Sequence, residues 1–172
     1  MSASLYPLSL PALERGLNNL AAILRKAEAD AEARKIAPEV LLNARLAPDM
    51  FPLLRQVQIV SDTAKGCAAR LAGVEVPSFA DDEQSFDELQ RRIARTLDFI
   101  GAIRPEQLAD AASREVVLKL RGQEVRFDGQ SYLSQFVLPN FYFHLTAAYG
   151  ILRHNGVPLG KTDYLGSLPQ NP

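Results

Sequence analysis

The stretch "APDMFPLLRQVQIVSDTAKGCAARLAG", residues 47–73, decides the fold class because it predicts one long amphipathic helix. Its apolar residues recur at steps of three and four, the spacing that places side chains on one face of a helix. That face holds Met50, Leu53, Leu54, Val57, Val60, Ala64, Ala68 and Leu71. Gly73 follows, and glycine commonly ends a helix. A helix with one apolar face needs other elements to cover that face.

Two segments on either side show the same period. Residues 8–35 carry a leucine stripe and predict a helix capped by Ser9. Residues 85–103 predict a further helix, after the second helix of residues 47–73, and it opens with a capping box formed by Ser85 and Glu88. Each has a single apolar stripe, so both are suited to packing around a shared core.

The C-terminal third changes period and then returns to it. Alternating apolar residues in 114–129 predict a small β-hairpin. Residues 130–156 predict a helix interrupted at Pro139, with the longer part starting at about Asn140, because proline breaks or kinks a helix. Residues 157–172 are predicted to form an irregular tail.

These elements predict an all-α protein: a four-helix bundle with a small β-hairpin before the last helices. The chain has 172 residues, which is the size of one domain, so residues 1–172 are expected to form a single unit. The composition, with 47% hydrophobic and 23% charged residues, is typical of a globular protein.

Charge and hydropathy exclude several classes of protein. A formal net charge of −1 gives no basis for broad attraction to nucleic acid or to anionic lipid. No apolar run approaches the roughly 20 residues that span a bilayer, and the N-terminus lacks the basic region of a signal peptide. The single cysteine, Cys67, rules out an internal disulfide. We therefore expect a cytoplasmic protein that binds neither nucleic acid nor membranes.

Both histidines, His144 and His154, lie in the last predicted helix. Ten helical residues span about 15 Å, so the two imidazoles cannot bind one metal ion. His144 shares a face with apolar residues, and it is either a structural histidine bonded to another helix or the polar floor of a ligand pocket. His154 lies in the last turn, where it complements the helix dipole, and the neighbouring Arg153 is a candidate rim residue.

Polar residues at the edge of the apolar stripe are candidates for a pocket around His144. They are Asn140, Gln56, Asp49 and Ser61. Asp62 and Lys65 are three residues apart, which predicts either a pair on the helix surface or part of a subunit interface.

Residues 47–73 and the segment "LPNFYFHLTAAYGILRHNGVPLGKTDYLG", residues 138–166, resemble a bacterial family of domains of unknown function, number 1993. That family belongs to the DinB/YfiT-like superfamily of helical bundles. The resemblance covers nearly the full chain. It implies an up-down-down-up bundle that often forms a homodimer.

Better-known members of that superfamily, including thiol-dependent S-transferases, are similar to one another in a three-histidine metal site. One histidine is on the second helix, and an H-x-x-x-H pair is on the last. By this resemblance His144 corresponds to the first histidine of the pair, whereas Ala148 replaces the second and the second helix has none. An amide or hydroxyl from Gln56, Asp49 or Ser61 is a poor substitute for imidazole. We therefore expect no cofactor, with His144 as the one remaining ligand for a divalent metal.

Three hypotheses follow. The first is a homodimeric module that binds a small molecule at a degenerate metal site. The second is a metal- or thiol-dependent transferase or hydrolase in which His144 is the general base or the sole imidazole ligand. The third is a structural interaction module whose subunit interface contains Asp62, Lys65 and the hairpin. The sequence assigns no reaction and no catalytic residue.

Overall fold

The computed structural model describes residues 4–120 and 122–167, and helices make up most of it. In chain order the α-helices are α1 Leu10–Ala33, α2 Pro38–Leu42, α3 Leu53–Ala72, α4 Phe86–Gly101, α5 Gly129–Ser131, α6 Leu138–His154 and α7 Lys161–Leu165. The strands are β1 Glu115–Leu120 and β2 Gln123–Asp128. Short 3₁₀ turns lie at Tyr6–Leu8, Pro105–Leu108 and Ala111–Ser113. The four long helices α1, α3, α4 and α6 form the predicted bundle.

Contacts along α1 and α6 show that these two helices run in the same direction. Gly16, early in α1, lies against the ring of Phe141, early in α6. Arg34, just after α1, donates a hydrogen bond to the carbonyl of Asn155, just after α6. Equivalent ends of the two helices therefore lie together.

The direction of α3 follows from two side-chain pairs. His144 of α6 bonds to Gln56 of α3, whereas Asn140, earlier in α6, bonds to Thr63, later in α3. A later residue of one helix meets an earlier residue of the other, so α3 and α6 are antiparallel.

The direction of α4 follows from the connector at residues 74–85. Gln58, near the start of α3, donates to Glu83 just before α4 begins, so the connector returns along the bundle. Ser61 then meets Thr96 farther along both helices. α3 and α4 are therefore parallel, which completes the up-down-down-up order of the bundle.

The core is the set of side chains that the four stripes enclose. Leu13, Leu17, Leu20 and Leu24 of α1 are fully buried, as the stripe predicted, and so are Val57, Val60 and Leu71 of α3. α6 contributes Phe141, Leu145, Ala148 and Leu152. Burial of apolar area on this scale is the main term that stabilises the fold.

Two helix ends are as predicted, and one cap is not. The Ser85 side chain accepts a hydrogen bond from the Glu88 N–H at 3.2 Å, and Gly73 ends α3 with a φ of 70°, which glycine adopts without strain. Ser9 precedes α1, but its hydroxyl donates back to the carbonyl of Leu5 at 2.7 Å instead of capping the helix. The predicted cap at Ser9 is therefore wrong.

The longer helix predicted from about Asn140 is confirmed as α6, which starts at Leu138, but the predicted break at Pro139 is wrong. Helical turns continue from α5 through a π-helical stretch, Tyr132–Val137, into α6. Pro139 lies in the first turn of α6. The wider turns of a π-helix immediately before it accommodate the proline ring, and the first turn of an α-helix needs no N–H from proline.

Two other boundaries differ from those predicted. α3 begins at Leu53, after Pro52, so Asp49 lies in the preceding loop and not on the helix. The predicted irregular tail contains α7, whose carboxylate Asp163 accepts a hydrogen bond from the Gly160 N–H at its start. Residues 168–172 of that tail lie outside the described residues.

The hairpin is confirmed, with Val117 opposite Arg126 in an antiparallel register. Val116 and Leu118 are buried on one face. Arg121, which follows β1 directly, lies outside the described residues. Within the part of the chain that the structure describes, no helix has both the length and the apolar character needed to cross a bilayer.

Candidate functional site

His144 and Gln56 form a hydrogen-bonded pair between α6 and α3. The imidazole Nδ1 lies 2.6 Å from the amide oxygen Oε1 of Gln56. The amide nitrogen Nε2 of Gln56 donates to the carbonyl of Phe51 at 2.9 Å. Gln56 is buried and the imidazole is half-buried, so the pair lies at the edge of the core.

The bonds of Gln56 fix the tautomer of the imidazole. Since Nε2 of the amide is the donor to Phe51, the amide oxygen is the acceptor, and Nδ1 of His144 must carry the proton. In a neutral imidazole the other ring nitrogen is then a hydrogen-bond acceptor. Burial lowers the pKa of His144 below 6.5, and the positive charge of Arg55 lowers it further. The imidazole is therefore neutral at pH 7, with an acceptor nitrogen available.

Aromatic side chains flank this pair on the surface. The ring of Phe143 packs edge-on against His144, with ring centroids 5.1 Å apart, and it is 58% exposed. Phe51, whose carbonyl holds Gln56, is 53% exposed. Leu46 is also exposed and lies against Gly150 of α6. We call this group of exposed side chains, the aromatic Phe51 and Phe143 together with the aliphatic Leu46, the aromatic face.

Three other residues were predicted to join His144, and the structure does not bring them to it. Asn140 lies one turn away on α6 and donates to Thr63 at 2.9 Å. Ser61 faces α4, where its hydroxyl lies 2.7 Å from that of Thr96, because α4 covers that side of α3. Asp49 is exposed in the loop before α3. Gln56 is the predicted partner that reaches the imidazole.

Asp62 and Lys65 form the predicted pair, with 2.9 Å between Nζ and Oδ1. The pair is not on the open surface, because Lys65 is buried and its ammonium lies over the ring of Phe79 at 4.1 Å. Asp62 also accepts from Arg92 of α4 at 2.8 Å. The pair therefore belongs to a larger cluster of charges between α3, α4 and the connector.

Arg92 is the centre of that cluster, and its side chain is 1% exposed. Its guanidinium forms ion pairs with Asp62, Asp81 and Glu83 at 2.8–2.9 Å. It also donates to the hydroxyl of Ser61 at 3.2 Å. The spacing of residues in the sequence did not predict this cluster. The available signal was an arginine within the buried stripe of residues 85–103, next to Ile93.

His154 and Arg153 lie in the last turn of α6, as predicted, and both side chains are exposed. Gly156 follows with a φ of 89°. The cationic side chain of Arg153 lies where the negative end of the helix dipole favours positive charge. His144 is two turns or more from both, so neither belongs to the His144–Gln56 pair.

The residues around His144 do not fit the three-histidine site of the superfamily. The amide oxygen of Gln56 accepts a hydrogen bond from Nδ1–H of His144, and this bond orients the imidazole. The same oxygen is therefore not free to bind a metal ion. Among residues 4–120 and 122–167, no three histidine, cysteine, aspartate or glutamate side chains come together in a group that would hold a metal ion. A tightly held transition metal requires more nitrogen or sulfur donors than this site offers.

Comparison with known proteins places the whole chain in context. The model of a family described as a domain of unknown function, DUF1993, matches residues 5–165. A solved structure of a DinB family member protein from Shewanella denitrificans is 45% identical and has a TM-score of 0.92; the alignment covers 98% of this chain and 95% of that chain. A comparison with curated proteins gave no match.

Proposed function

This chain belongs to the DUF1993 family and shares the DinB-type helical bundle, and from that premise we propose that it is a homodimeric small-molecule-binding protein. The ligand site is the place where the superfamily carries a metal, reduced here to His144 and Gln56. The observation that supports it is the 2.6 Å bond between Nδ1 and the amide oxygen. That bond presents a neutral acceptor nitrogen at a half-buried position.

The surroundings of His144 define the chemistry of the ligand. An acceptor nitrogen binds a molecule that carries an N–H, O–H or S–H donor. The exposed ring of Phe143 packs against the imidazole and provides apolar contact beside it. Phe51, whose carbonyl accepts from Gln56, adds a second exposed ring near the pair in the proposed site. A small molecule with one donor group and an apolar or aromatic body matches this combination.

The aromatic face supports the homodimer. Leu46, Phe51 and Phe143 are each more than 40% exposed, and large exposed apolar side chains in one area are typical of protein interfaces. A second copy related by twofold symmetry presents the same face, so apolar side chains meet apolar side chains. Because His144 lies beside Phe143, pairing across this face encloses the imidazole between two subunits and completes the ligand site.

The neutral imidazole also supports a second candidate, a transferase or hydrolase with His144 as general base. A base must be unprotonated at the working pH, and the lowered pKa of His144 meets that condition. The donor set does not fit a tightly bound metal, so this candidate rests on the imidazole alone. A metal assay on protein purified without metal-affinity steps distinguishes this candidate from a metalloenzyme. One bound transition metal ion per chain would contradict the degenerate site.

The binding proposal is tested by thermal-shift screening against metabolites and thiol cofactors. We expect at least one compound with a donor group to raise the melting temperature of the protein, because a ligand that binds the folded state stabilises it. Substitution His144→Ala is expected to abolish that shift.

His154→Ala is the matched control, since it removes the other histidine from an exposed helix end. It should leave the shift unchanged. If no compound stabilises the protein, or if His144→Ala and wild type respond alike, the proposed site is wrong.

A further inference from the structure

A groove of about 460 Å³ lies between α1, α6 and α7, and His144 does not line it. Its volume falls in the range of roughly 300–1,000 Å³ that small-molecule sites occupy. Ala12, Gly16 and Leu145 form an apolar wall. Arg15, Tyr142 and Tyr164 supply polar groups at the same groove. Its lining is therefore mostly apolar, with a few polar groups at one place.

The short helix α7 covers the groove through polar tethers. Nε and Nη2 of Arg15 donate to the carbonyl of Leu165 at 3.0 and 2.7 Å. Asn19 donates to the carbonyl of Tyr164 at 2.9 Å, and Lys26 pairs with Asp163 at 2.6 Å. None of the five residues of α7 is buried. Tyr164, which is partly buried and packs edge-on against Tyr149, is its main apolar contact, so polar bonds hold much of this cover in place.

Arg15 brings a positive charge to the groove, and its partners among the described residues are neutral. Its partners in the described residues are the neutral carbonyls of Leu165 and Ser167, and no carboxylate within residues 4–120 and 122–167 pairs with it. Both of those carbonyls are bound by Nε and Nη2, so the N–H groups of Nη1 have no partner in the same residues. A guanidinium edge of this kind is suited to a carboxylate.

Tyr142 lines the same groove as Arg15, so one ligand in the groove can contact both residues. Burial raises the pKa of the Tyr142 hydroxyl, the neighbouring Tyr164 raises it further, and the charge of Arg15 lowers it. Tyr164 in turn bonds to Thr146 at 2.9 Å. The Tyr142 hydroxyl therefore remains protonated at pH 7 and is available as a donor.

We propose that this groove binds a small carboxylate with an apolar body. Nη1 of Arg15 and the hydroxyl of Tyr142 donate to the carboxylate. The apolar part lies against Ala12, Gly16 and Leu145, with α7 closing over it. This site is separate from His144 and does not depend on the binding proposed there.

Calorimetric titration with octanoate tests the site, with octanol as the uncharged probe of equal chain length. We expect octanoate to bind at least tenfold more tightly than octanol, a difference of about 1.4 kcal/mol. Ala12 is partly buried on α1 and lines the groove, so the larger side chain of Ala12→Phe should fill the groove and abolish binding of both probes.

Arg15→Gln and Tyr142→Phe each remove one proposed donor to the carboxylate. Tyr142→Phe should weaken the binding of octanoate a few-fold. It should leave octanol binding unchanged, because among the described residues it removes no bond to α7. Arg15→Gln also removes the bonds to Leu165 that hold α7 over the groove, so its effect on octanol measures that loss, and the binding of octanoate should weaken about tenfold beyond it. Arg25→Gln, an exposed arginine on the same helix, is the control and should bind octanoate like wild type. Equal affinity for the two probes, binding that survives Ala12→Phe, or no octanoate binding at millimolar concentration overturns the proposal.

Discussion

At the scale of single residues, Arg92 shows how a buried charge is kept in this fold. Its guanidinium meets three carboxylates, from Asp62, Asp81 and Glu83, and a carbonyl from Ala80. A buried ion pair adds little net stability compared with apolar packing, but removing one partner leaves the others uncompensated. Arg92 therefore fixes the connector between α3 and α4 in one position.

Arg92→Met is expected to lower the free energy of unfolding by about 3 kcal/mol, because two half-exposed carboxylates and the nearly buried Glu83 lose their common partner. The neighbouring Arg91 pairs with Asp87 at the open surface, so Arg91→Met should change stability by less than about 0.5 kcal/mol. Urea unfolding followed by circular dichroism measures both. Equal effects of the two substitutions would show that the cluster does not hold the connector.

The lowered pKa of His144 predicts a specific dependence of stability on pH. The unfolded chain takes up a proton on this imidazole near pH 6.5, whereas the folded chain takes it up only at a lower pH. The free energy of unfolding should therefore fall as pH drops below 6.5, until the folded pKa is passed. His144→Leu removes this contribution, while the carboxylates contribute alike to both proteins. Urea unfolding of both between pH 7 and pH 5 should give a shallower slope for the variant; parallel curves would contradict the lowered pKa.

At the scale of elements, the close approach of α1 and α6 depends on a glycine. A Cβ on Gly16 would lie 2.6 Å from Cε1 and 2.8 Å from Cζ of the buried Phe141 ring. Gly16 therefore allows the ring to pack directly on the backbone of α1. The sequence indicated that this position lacks a side chain at the stripe, but not which neighbour fills the space.

Gly16→Ala is expected to destabilise the fold by about 1–3 kcal/mol, since the added methyl group overpacks the interface. Part of that loss should return in the double variant with Phe141→Leu, which gives a non-additive pair. Gly101→Ala is the control: no atom lies within 4 Å of its added Cβ, so it should be neutral or slightly stabilising. Thermal unfolding of Gly16→Ala, Phe141→Leu, their double variant and Gly101→Ala measures this, and wild-type stability of Gly16→Ala would contradict the packing.

The elements themselves follow from local sequence, whereas their partners do not. The period of three and four predicted the four long helices, and Ser85 with Glu88 predicted the start of α4, because both signals act within one or two turns. Pro139 gave a wrong break, since its effect depends on the π-helical turns before it. Ser61 was predicted near His144, yet α4 covers its face. Spacing fixes the face of a residue and leaves open which helix packs against that face.

At the scale of the whole molecule, the aromatic face accounts for the proposed dimer. Phe143→Asp places a charge in the middle of that face, and burying this charge in the dimer costs more than exposing it in the monomer. We expect wild type to have the mass of a dimer in light scattering at micromolar concentration and Phe143→Asp to have that of a monomer. The substitution should not alter folding, because Phe143 is mostly exposed.

Leu8→Asp is the control, since Leu8 is equally exposed but lies before α1, outside the aromatic face. It should remain a dimer. If wild type is a monomer, or if both variants dissociate to the same extent, the aromatic face is not the dimer interface. His144 would then not be enclosed between two subunits.

Gln56 holds His144 as a neutral imidazole with an acceptor nitrogen available, and nitrogen-15 NMR of the histidine rings measures this state most directly. With metal-free protein at pH 7, and with His144→Gln used for assignment, we expect Nδ1 to carry the proton and Nε2 to have the chemical shift of an unprotonated nitrogen. A proton on Nε2, a doubly protonated ring, or a ring shifted by a bound metal ion would contradict it.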